Sequence, residues 1–476
     1  MEAASRRGGI RNPCRVAAMG TPGRIRRQPR RPGFPDCGNG CEVLTMRWRT
    51  VLYLLIVMGT STAARAQTLA DSSLTGRRIA EIRILGNAKT RSFVFHREMK
   101  QRVGDRFDPA RAEEDRKRIQ NLMLFNRVMV FAHPDSREVV VTVRVTEQWY
   151  LIPFPILYIN DRDWGKVTYG AGLHHINFRG RAETLTALLK LGYDPSFAFG
   201  YHNPWLTGDR TWTGGFETAW HRIRNKHYRD LSVDEHHYTL RGALGRRFGY
   251  HTAVRLELGY RSVSLSPAVE GRTLSPGGTD RMPEAALQFE WDRRDLKEYP
   301  RSGWLLRGNL QKKGIPGNRI DWSRATADVR GYLPVSGGLT LAARAASTLS
   351  RGEIPVYSRV YLGYGERIRG HFYEKYGGEN RILGSLALRF PLLGIRYWDM
   401  APEAELSDLR FGVGGGFFAD TGMIWNRTES LTHRKLRSGF GAGIHLFLPY
   451  HVLVRLESAW DESGRRQWIA DLNVDI

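Results

Sequence analysis

The chain has 476 residues, a formal net charge of +24, 41% hydrophobic residues and three cysteines. Its longest apolar run, Val51–Met58, falls far short of the ~20 residues that a membrane-spanning helix needs, which argues against a helical membrane protein. The cysteine count is too low for a disulfide scaffold of this length, while the charge raises the question of a nucleic-acid partner.

The first segment of the chain, residues 1–45, holds nine arginines, three acidic residues and all three cysteines. We expect it to be an untranslated or disordered basic extension, with Met46 as the true start. Residues 46–66 then combine a short basic stretch, the apolar run Val51–Met58 and small residues that end at Ala66. This order predicts a secretory signal peptide with cleavage between Ala66 and Gln67, in preference to a buried core helix.

Removal of residues 1–66 lowers the formal charge from +24 to +15 and leaves no cysteine. Thiol catalysis and zinc bound by cysteine are therefore excluded for the exported chain. The remaining positive charges are spread along the chain and are not gathered in one patch, so we expect no nucleic-acid partner.

Residues 67–77 are predicted to be a linker, and residues 78–147 a small two-layer α/β domain of order β-α-α-β-β. Its elements are predicted from alternation, turn residues and helix caps. They are a strand at Arg78–Leu85, a helix capped by Thr90, a helix that starts at Asp108-Pro109 and has Ala112, Ile119, Leu122 and Met123 on one face, and strands at Arg127–Phe131 and Glu138–Thr146.

From Trp149 to Ile476 the hydrophobic period is two, as where Val254, Leu256 and Leu258 alternate with polar residues. We expect 16 strands here, because ~20 residues each suffice for a ~10-residue strand and its connection. Tight turns, as at Pro300–Gly303, alternate with longer polar connections, and this alternation is typical of an outer-membrane barrel. A secreted β-sandwich is the weaker alternative. The long connections are Asn225–Glu235, Ser266–Arg281, Gly352–Glu379 and Asn426–Arg437.

Signatures of enzymes are weak, since the chain has no H-E-x-x-H, G-x-S-x-G or G-x-x-x-x-G-K-[S/T] motif. The glycine run Gly412–Gly416 lies within a predicted strand. The two histidines of each pair, His174-His175 and His236-His237, cannot bind the same metal ion, because neighbours in a strand point to opposite faces. We therefore predict no enzyme activity, no cofactor and no metal site.

One connection carries a sharper signal, the stretch Ile368-Arg369-Gly370-His371. A guanidinium group that enters a barrel lumen needs a carboxylate partner, and Asp420 is a candidate. On spacing alone, however, a solvated loop charge is the favoured interpretation of Arg369.

The same stretch resembles the V/I-R-G-F/Y motif of the BamA/TamA-type superfamily, also called the bacterial surface antigen family. Phe418–Gly422 resembles the F-x-D-x-G strand motif of that family, and residues 78–147 resemble one POTRA domain that ends at Val143–Glu147. Further matches fall in the family's order at Asn177–Arg181, at Asn203–Gly208, and at Asp292–Asp295 followed by Pro300 and Gly303.

The resemblance implies a POTRA domain followed, over residues 149–476, by a 16-stranded antiparallel transmembrane barrel. Its sixth extracellular loop would fold into the lumen and be held there by Ile368, Arg369 and Gly370, with Arg369 paired to Asp420. A simple pair of this kind predicts that an exchange of the two charges partly restores function.

The resemblance also implies a weak lateral seam between the first strand, Trp149–Tyr158, and the last strand, Gln467–Ile476. This seam could template client strands, while the POTRA sheet edge could pair with clients or with periplasmic accessory proteins. The chain ends in Ile476, where outer-membrane proteins usually end in an aromatic residue, and it has fewer POTRA domains than the assembly proteins of the family.

The function expected from all this is non-enzymatic assistance to insertion, assembly or translocation of polypeptides at the outer membrane of a Gram-negative-type bacterium. The expected partners are outer-membrane lipids, unfolded outer-membrane or secreted polypeptides, and periplasmic accessory proteins. The alternatives are a dedicated two-partner secretion exporter and a barrel that passes lipids or solutes.

Overall fold

The computed structural model describes residues 68–69, 72–159, 163–208, 211–224, 233–363, 365–430, 432 and 435–472. The predicted signal segment, including Ala66 and Gln67, lies outside the described residues, and so does Ile476.

An α/β domain comes first and contains the predicted β-α-α-β-β elements. A further two-residue strand, Thr68–Leu69, joins its sheet from the segment 67–77 that was predicted to be a linker. The strand order in its sheet is β1-β3-β4-β2, in which β3 and β4 are antiparallel and the outer strands pair in parallel. Among the described residues, no helix is long and apolar enough to cross a membrane. The elements are β1 Thr68–Leu69, β2 Ile79–Leu85, α1 Ser92–Glu98, α2 Pro109–Gln120, β3 Phe125–Asp135 and β4 Glu138–Glu147.

The two helices of this domain start differently. At α2 the Asp108 side chain accepts a hydrogen bond from Ala110 N, and Pro109 occupies the first turn, where its missing N–H costs nothing. The prediction that Thr90 caps α1 is wrong, because Arg91 is the N-cap residue and makes no side-chain cap. The prediction that Leu122 and Met123 belong to α2 is also wrong, since the helix ends at Gln120.

A single 16-stranded sheet follows, and neighbours in the sheet are neighbours in sequence. All its ladders are antiparallel, so the expected transmembrane barrel of 16 antiparallel strands is confirmed. Its first eleven strands are β5 Leu151–Ile159, β6 Val167–Phe178, β7 Glu183–Gly192, β8 Ser196–Asn203, β9 Trp212–Arg224, β10 Asp234–Phe248, β11 Thr252–Ser266, β12 Thr279–Asp292, β13 Gly303–Gly314, β14 Asp321–Pro334 and β15 Thr340–Gly352. The last five are β18 Asn380–Trp398, β19 Leu409–Trp425, β20 Arg437–Phe447, β21 Leu453–Asp461 and β22 Arg466–Leu472.

Between β15 and β18 the chain forms a long connection, residues 353–379, which contains a separate two-stranded ladder of β16 Val360–Leu362 and β17 Tyr376–Gly378. This connection is the sixth on the side of the sheet opposite the α/β domain. The predicted tight turn at Pro300–Gly303 is wrong, since it belongs to the longer connection of residues 293–302 between β12 and β13.

The two faces of the large sheet reverse the pattern of a soluble sheet. Apolar side chains stand exposed along one face, as at Leu258, which is 57% exposed. The other face carries buried polar and charged side chains, because it encloses a lumen. Examples are Glu284, Lys313, Arg344, Arg389, Asp420 and Glu457.

Candidate functional site

The connection of residues 353–379 returns into the lumen and is held there at its centre. Ile368 is buried in an apolar cluster with Leu362 and Leu383, and the next residue, Arg369, is only 9% exposed. A charged side chain is thus enclosed within the barrel at the position that the motif resemblance indicated.

Arg369 contacts two carboxylates. Its Nε donates to Asp420 Oδ2 at 2.7 Å and its Nη2 to Asp420 Oδ1 at 2.7 Å, while the backbone N of Arg369 donates to Asp420 Oδ2 at 3.0 Å. Its Nη1 donates to Glu457 Oε1 at 3.1 Å. The solvated-charge interpretation of Arg369 is therefore wrong. We call Arg369, Asp420 and Glu457 the loop anchor.

The surroundings of the loop anchor favour the charged guanidinium. Burial lowers the pKa of Arg369, but the carboxylates of Asp420 and Glu457 outweigh burial and raise that pKa above its ordinary value. The guanidinium also lies 3.8 Å from the ring centroid of Phe418, and Ser385 Oγ donates to Asp420 Oδ1 at 2.6 Å. The bidentate geometry fixes the position of the loop as well as its charge.

Sequence reasoning missed Glu457. It lies on β21 with 1% exposure, on the same face as other buried residues of that strand. An acidic residue on the buried face of an alternating strand was the available signal, but nothing in the sequence indicated that this strand passes beside Arg369.

Two glycines let the loop lie directly on β20 and β21. A Cβ added at Gly439 would lie 1.5 Å from the carbonyl oxygen of Arg369, so no other residue fits there without displacement of the loop. Gly370 has φ +106°, a conformation that side chains with a Cβ rarely adopt, and its Cβ would lie 2.8 Å from Trp460 O.

The loop continues from the anchor to the last strand. Phe372 N donates to Gln467 Oε1 at 3.0 Å, and the Tyr373 hydroxyl donates to the Trp468 carbonyl oxygen at 2.7 Å. The structure therefore brings three of the predicted site residues, Arg369, Asp420 and Gln467, into one connected set on β19, β22 and the loop.

The other predicted seam residues do not join this set. Trp149 precedes β5 and is 59% exposed, and Tyr158 lies near the end of β5. The strands β5 and β22 are the two ends of the strand order in the large sheet. The structure does not describe Ile476.

The α/β domain packs on the connections at its own end of the large sheet. Asp408, between β18 and β19, accepts hydrogen bonds from Arg127 Nη1 at 2.9 Å and from Thr146 Oγ1 at 2.5 Å. At the end of β10, next to the β10–β11 connection, Arg247 Nη1 donates to Glu98 Oε1 at 2.9 Å. The domain is thus attached through connections that are far apart in sequence.

The predicted motif Asn177–Arg181 belongs to this junction. Asn177 Nδ2 donates to Thr90 Oγ1 at 2.8 Å, and the Gly180 carbonyl accepts from Arg91 N at 2.9 Å. A Cβ at Gly180 would lie 2.0 Å from Lys89 O, so the turn and the domain approach closely. Thr90, predicted as a helix cap, in fact serves this contact.

These geometric features accompany a family match. The model described as the Omp85 superfamily domain matches residues 177–467. The chain belongs to the Omp85 superfamily. The POTRA model, described as a surface antigen variable number repeat, matches residues 77–148, which cover the α/β domain. Omp85 proteins reside in the bacterial outer membrane with their POTRA domains in the periplasm.

One curated relative is the outer membrane protein assembly factor BamA of Neorickettsia risticii (strain Illinois), which is 26% identical over 403 residues, covering 79% of this chain and 51% of that protein. The chain thus spans about half the length of this relative. Solved structures with the same fold include BamA from Haemophilus ducreyi lacking POTRA domains 1–3 (TM-score 0.50, 15% identity, 84% of each chain). CdiB from Escherichia coli has a TM-score of 0.54 at 14% identity, with 84% of this chain and 76% of that one covered.

The histidine pairs considered above lie in the Omp85 barrel. His174 Nδ1 is hydrogen-bonded to Thr186 Oγ1 at 2.8 Å, and His237 stacks on His221 with ring centroids 4.5 Å apart. Within the described part of the chain, no group of three or more His, Cys, Asp or Glu side chains is arranged to hold a metal ion.

Proposed function

We propose that this Omp85 chain assists the insertion, assembly or translocation of polypeptides at the outer membrane without chemical catalysis. Its barrel would lie in the cell outer membrane, with the POTRA domain in the periplasm. The partners would be outer-membrane lipids, unfolded outer-membrane or secreted polypeptides, and periplasmic accessory proteins.

The observation that carries this proposal is the coupling between the loop anchor and the last strand. Phe372 and Tyr373 follow Arg369 by only a few residues and bond to Gln467 and Trp468 of β22. A loop held by Arg369 therefore restrains one strand of the proposed seam. If the seam opens, the exposed edge of β22 can pair with an incoming strand, since an unpaired edge is a template for another chain.

The test is a seam disulfide in a chain whose residues after Cys41 include no cysteine. Cysteine pairs are scanned between β5 and β22, and the full chain is reconstituted in liposomes with an unfolded outer-membrane barrel protein as client. We expect oxidation of a cross-linked pair to abolish formation of folded, heat-modifiable client, and reduction to restore it.

A matched control pair replaces Leu244 and Leu256, which face each other in the intact β10–β11 ladder. Oxidation of this pair should leave client insertion unchanged. Full activity with an oxidised seam would contradict the proposal, whereas release of the client across the vesicle membrane would favour the dedicated exporter.

We also propose that the POTRA domain binds extended polypeptides along β2. This strand pairs with β4 alone and forms one edge of its sheet, with Glu81 and Arg83 exposed. A photo-crosslinker at Arg83 should capture an unfolded client, whereas one at Arg111, exposed on α2, should not. Equal capture at both positions would exclude pairing along β2.

A further inference from the structure

A cavity of about 320 Å³ lies at the periplasmic end of the barrel, between the end of α2, the β12–β13 connection and β18. Its lining is mainly apolar and includes Leu393, Ile395 and Phe447, but the guanidinium groups of Arg389 and Arg410 also reach it. The volume is at the lower end of the ~300–1,000 Å³ typical of small-molecule sites.

Arg389 is the unusual group in this lining. Its side chain is 1% exposed, and neither Nη1 nor Nη2 has a hydrogen-bond partner in the structure. Its guanidinium stacks on Tyr299, 4.7 Å from the ring centroid, and among the described residues it forms no ion pair with a carboxylate. An arginine cannot shed its proton in a protein, so a buried guanidinium with free N–H groups calls for an anion.

Of the other two arginines in the lining, Arg301 is exposed and Arg410 is already neutralised. Arg410 forms an ion pair with Glu298, which also lines the cavity and contacts His451 Nδ1 at 2.8 Å. The Glu298 carboxylate is therefore engaged by other residues, and among the described residues of the lining Arg389 is a buried cation without a counter-ion.

The barrel wall next to the cavity has a step in its strand pairing. The β15–β18 ladder ends at the pair Thr340–Arg389, whereas β18 continues to Trp398 with only β19 as its partner in the large sheet. The β14–β15 connection borders this step, and its Gly338 lies against Pro391 and beside the exposed Arg301. We call this step the lateral opening.

The surroundings of the lateral opening are apolar and outward-facing. Leu333 is 61% exposed, Val335 55% and Leu392 58%, all near the periplasmic ends of β14 and β18. Such a surface lies in the periplasmic leaflet of the membrane, so an occupant that enters here has an apolar part in the leaflet and an anionic part that can reach Arg389.

We propose that this cavity binds the headgroup of an anionic phospholipid from the periplasmic leaflet. The phosphate accepts hydrogen bonds from Nη1 and Nη2 of Arg389, Arg301 attracts the headgroup at the lateral opening, and the acyl chains remain outside among Leu333, Val335 and Leu392. This lipid site is independent of the loop anchor and of the seam, and it does not require the proposed function.

The test is native mass spectrometry of the full chain in a non-ionic detergent, titrated with 1-palmitoyl-2-oleoyl phosphatidylglycerol or with the phosphatidylcholine of the same chains. We expect one phosphatidylglycerol to bind about tenfold more tightly than phosphatidylcholine. Both lipids offer a phosphate, but the choline cation of phosphatidylcholine cancels the net negative charge that would neutralise Arg389, and the lost electrostatic attraction corresponds to roughly that factor. Arg389→Gln should abolish the preference.

Two further variants keep this test decisive. Leu393→Glu places a negative charge in the half-buried cavity lining without a change at Arg389, and it should also abolish the preference even if Arg389→Gln does not fold. Arg381→Gln is the matched control on the same strand, because Arg381 Nη1 already donates to Tyr361 O at 2.7 Å, and it should keep the preference. Folding of each variant is checked by heat-modifiable gel migration.

Two results would overturn the proposal. One is equal binding of the two lipids by the unaltered chain, or an unchanged preference in folded Arg389→Gln protein. The other is displacement of phosphatidylglycerol by inorganic phosphate at equal concentration, which would identify a site for a free anion in place of a lipid.

Discussion

At the scale of single residues, the loop anchor sets one guanidinium against two buried carboxylates. A buried ion pair adds little stability compared with a well-packed apolar core, but removal of one partner is costly because the other charge stays buried. Arg369 therefore specifies where the loop lies more than it stabilises the barrel. Glu457 makes the loop anchor a three-residue cluster, and this third residue changes the expected effect of substitutions at Arg369 and Asp420 on the position of the loop.

Arg369→Ala should destabilise the anchored position of the loop by about 3–5 kcal/mol, since it leaves Asp420 and Glu457 unpaired. Limited proteolysis should then cut within residues 353–379 much faster, while heat-modifiable migration shows a folded barrel. Arg359→Ala changes an exposed arginine of the same connection and should leave the cleavage rate unaltered. Unchanged protease resistance in Arg369→Ala would show that the loop is held by other contacts.

The geometry of the loop anchor argues against the expected rescue of function by an exchange of the two charges. In the double variant Arg369→Asp/Asp420→Arg, the new carboxylate would stand near Glu457, whose Oε1 now lies 3.1 Å from Arg369 Nη1. Like charges in a buried site repel, so we expect the loop to stay as protease-sensitive as in Arg369→Ala. Addition of Glu457→Gln should recover part of the protection, and full protection in the double variant alone would contradict a three-residue anchor.

His371 adds a pH dependence near the end of the loop. Its Nδ1 lies 2.9 Å from Glu374 and its Nε2 2.7 Å from Glu462, while Arg465 and Arg437 pair with these carboxylates. Burial lowers the pKa of His371, but the hydrogen bonds to Glu374 and Glu462 outweigh burial and raise that pKa above its ordinary value. The Tyr376 hydroxyl also faces Nδ1, at 3.4 Å.

Because the folded-state pKa of His371 is raised, its contribution to loop order is complete below the unfolded pKa of about 6.5 and is lost as pH rises through the folded value. We expect protease cleavage near His371 to accelerate over that window. His371→Phe should remove the pH dependence while Arg369 still holds the loop. A pH profile that is unchanged in His371→Phe would assign the effect to another group.

At the scale of elements, the backbone of the loop lies in close contact with the backbone of the strands beneath it. The carbonyl of Arg369 lies over Gly439 of β20, and Gly370 lies over the backbone at Trp460 of β21. The loop therefore rests on two neighbouring strands, while its guanidinium reaches β19 and β21. The position of the loop therefore depends on the charged side chains of the loop anchor and also on these glycines, which have no side chain.

Gly439→Ala should displace the loop although it leaves all three anchor side chains in place, because its Cβ would collide with Arg369 O. We expect cleavage within residues 353–379 to rise towards the rate of Arg369→Ala, with the barrel still folded. Gly242→Ala, on β10 with open space around the added Cβ, is the matched control and should behave like the unaltered chain. Protection in Gly439→Ala equal to that of the control would mean that the strands adjust around the methyl group.

At the scale of the whole molecule, the POTRA domain is attached to the periplasmic connections of the barrel at several separate places. Asp408 of the β18–β19 connection contacts β3, while Glu98 and Thr90 contact the ends of β10 and β6. Separate weak contacts add, so the loss of one should loosen the domain locally without releasing it.

Asp408→Ala should cost about 1–3 kcal/mol at this junction, because Arg127 and Thr146 lose their shared acceptor. Amide hydrogen exchange in β3 and β4 near these residues should become faster, with exchange in α1 unchanged. Glu403→Ala, an exposed acidic residue of the same connection, should change neither. Release of the whole domain by Asp408→Ala would show that the junction depends on one contact.

The sequence by itself determined the kinds of element and their order. The period of two after Trp149, the turn residues and the caps are local signals, and they predicted the β-α-α-β-β domain and the 16 strands. Local signals are also limited, since Thr90 looked like a helix cap and Pro300–Gly303 like a tight turn. Thr90 instead contacts the distant Asn177, and Pro300–Ser302 ends a longer connection in which Asp295 accepts hydrogen bonds from Arg301 N and Ser302 N.

Only the tertiary structure decided which distant residues meet. The spacing of Arg369 favoured a solvated charge, and the family resemblance supplied Asp420 and the seam residue Gln467. Neither could supply Glu457, the contact of Gln467 with the loop or the junction partners of Asn177. The path of a loop through a lumen is set by burial and by charge pairing between strands that lie far apart in sequence. The same reason applies to Arg389, which is one more arginine in the sequence and proves to be a buried cation without a carboxylate partner only once the strands around it are assembled.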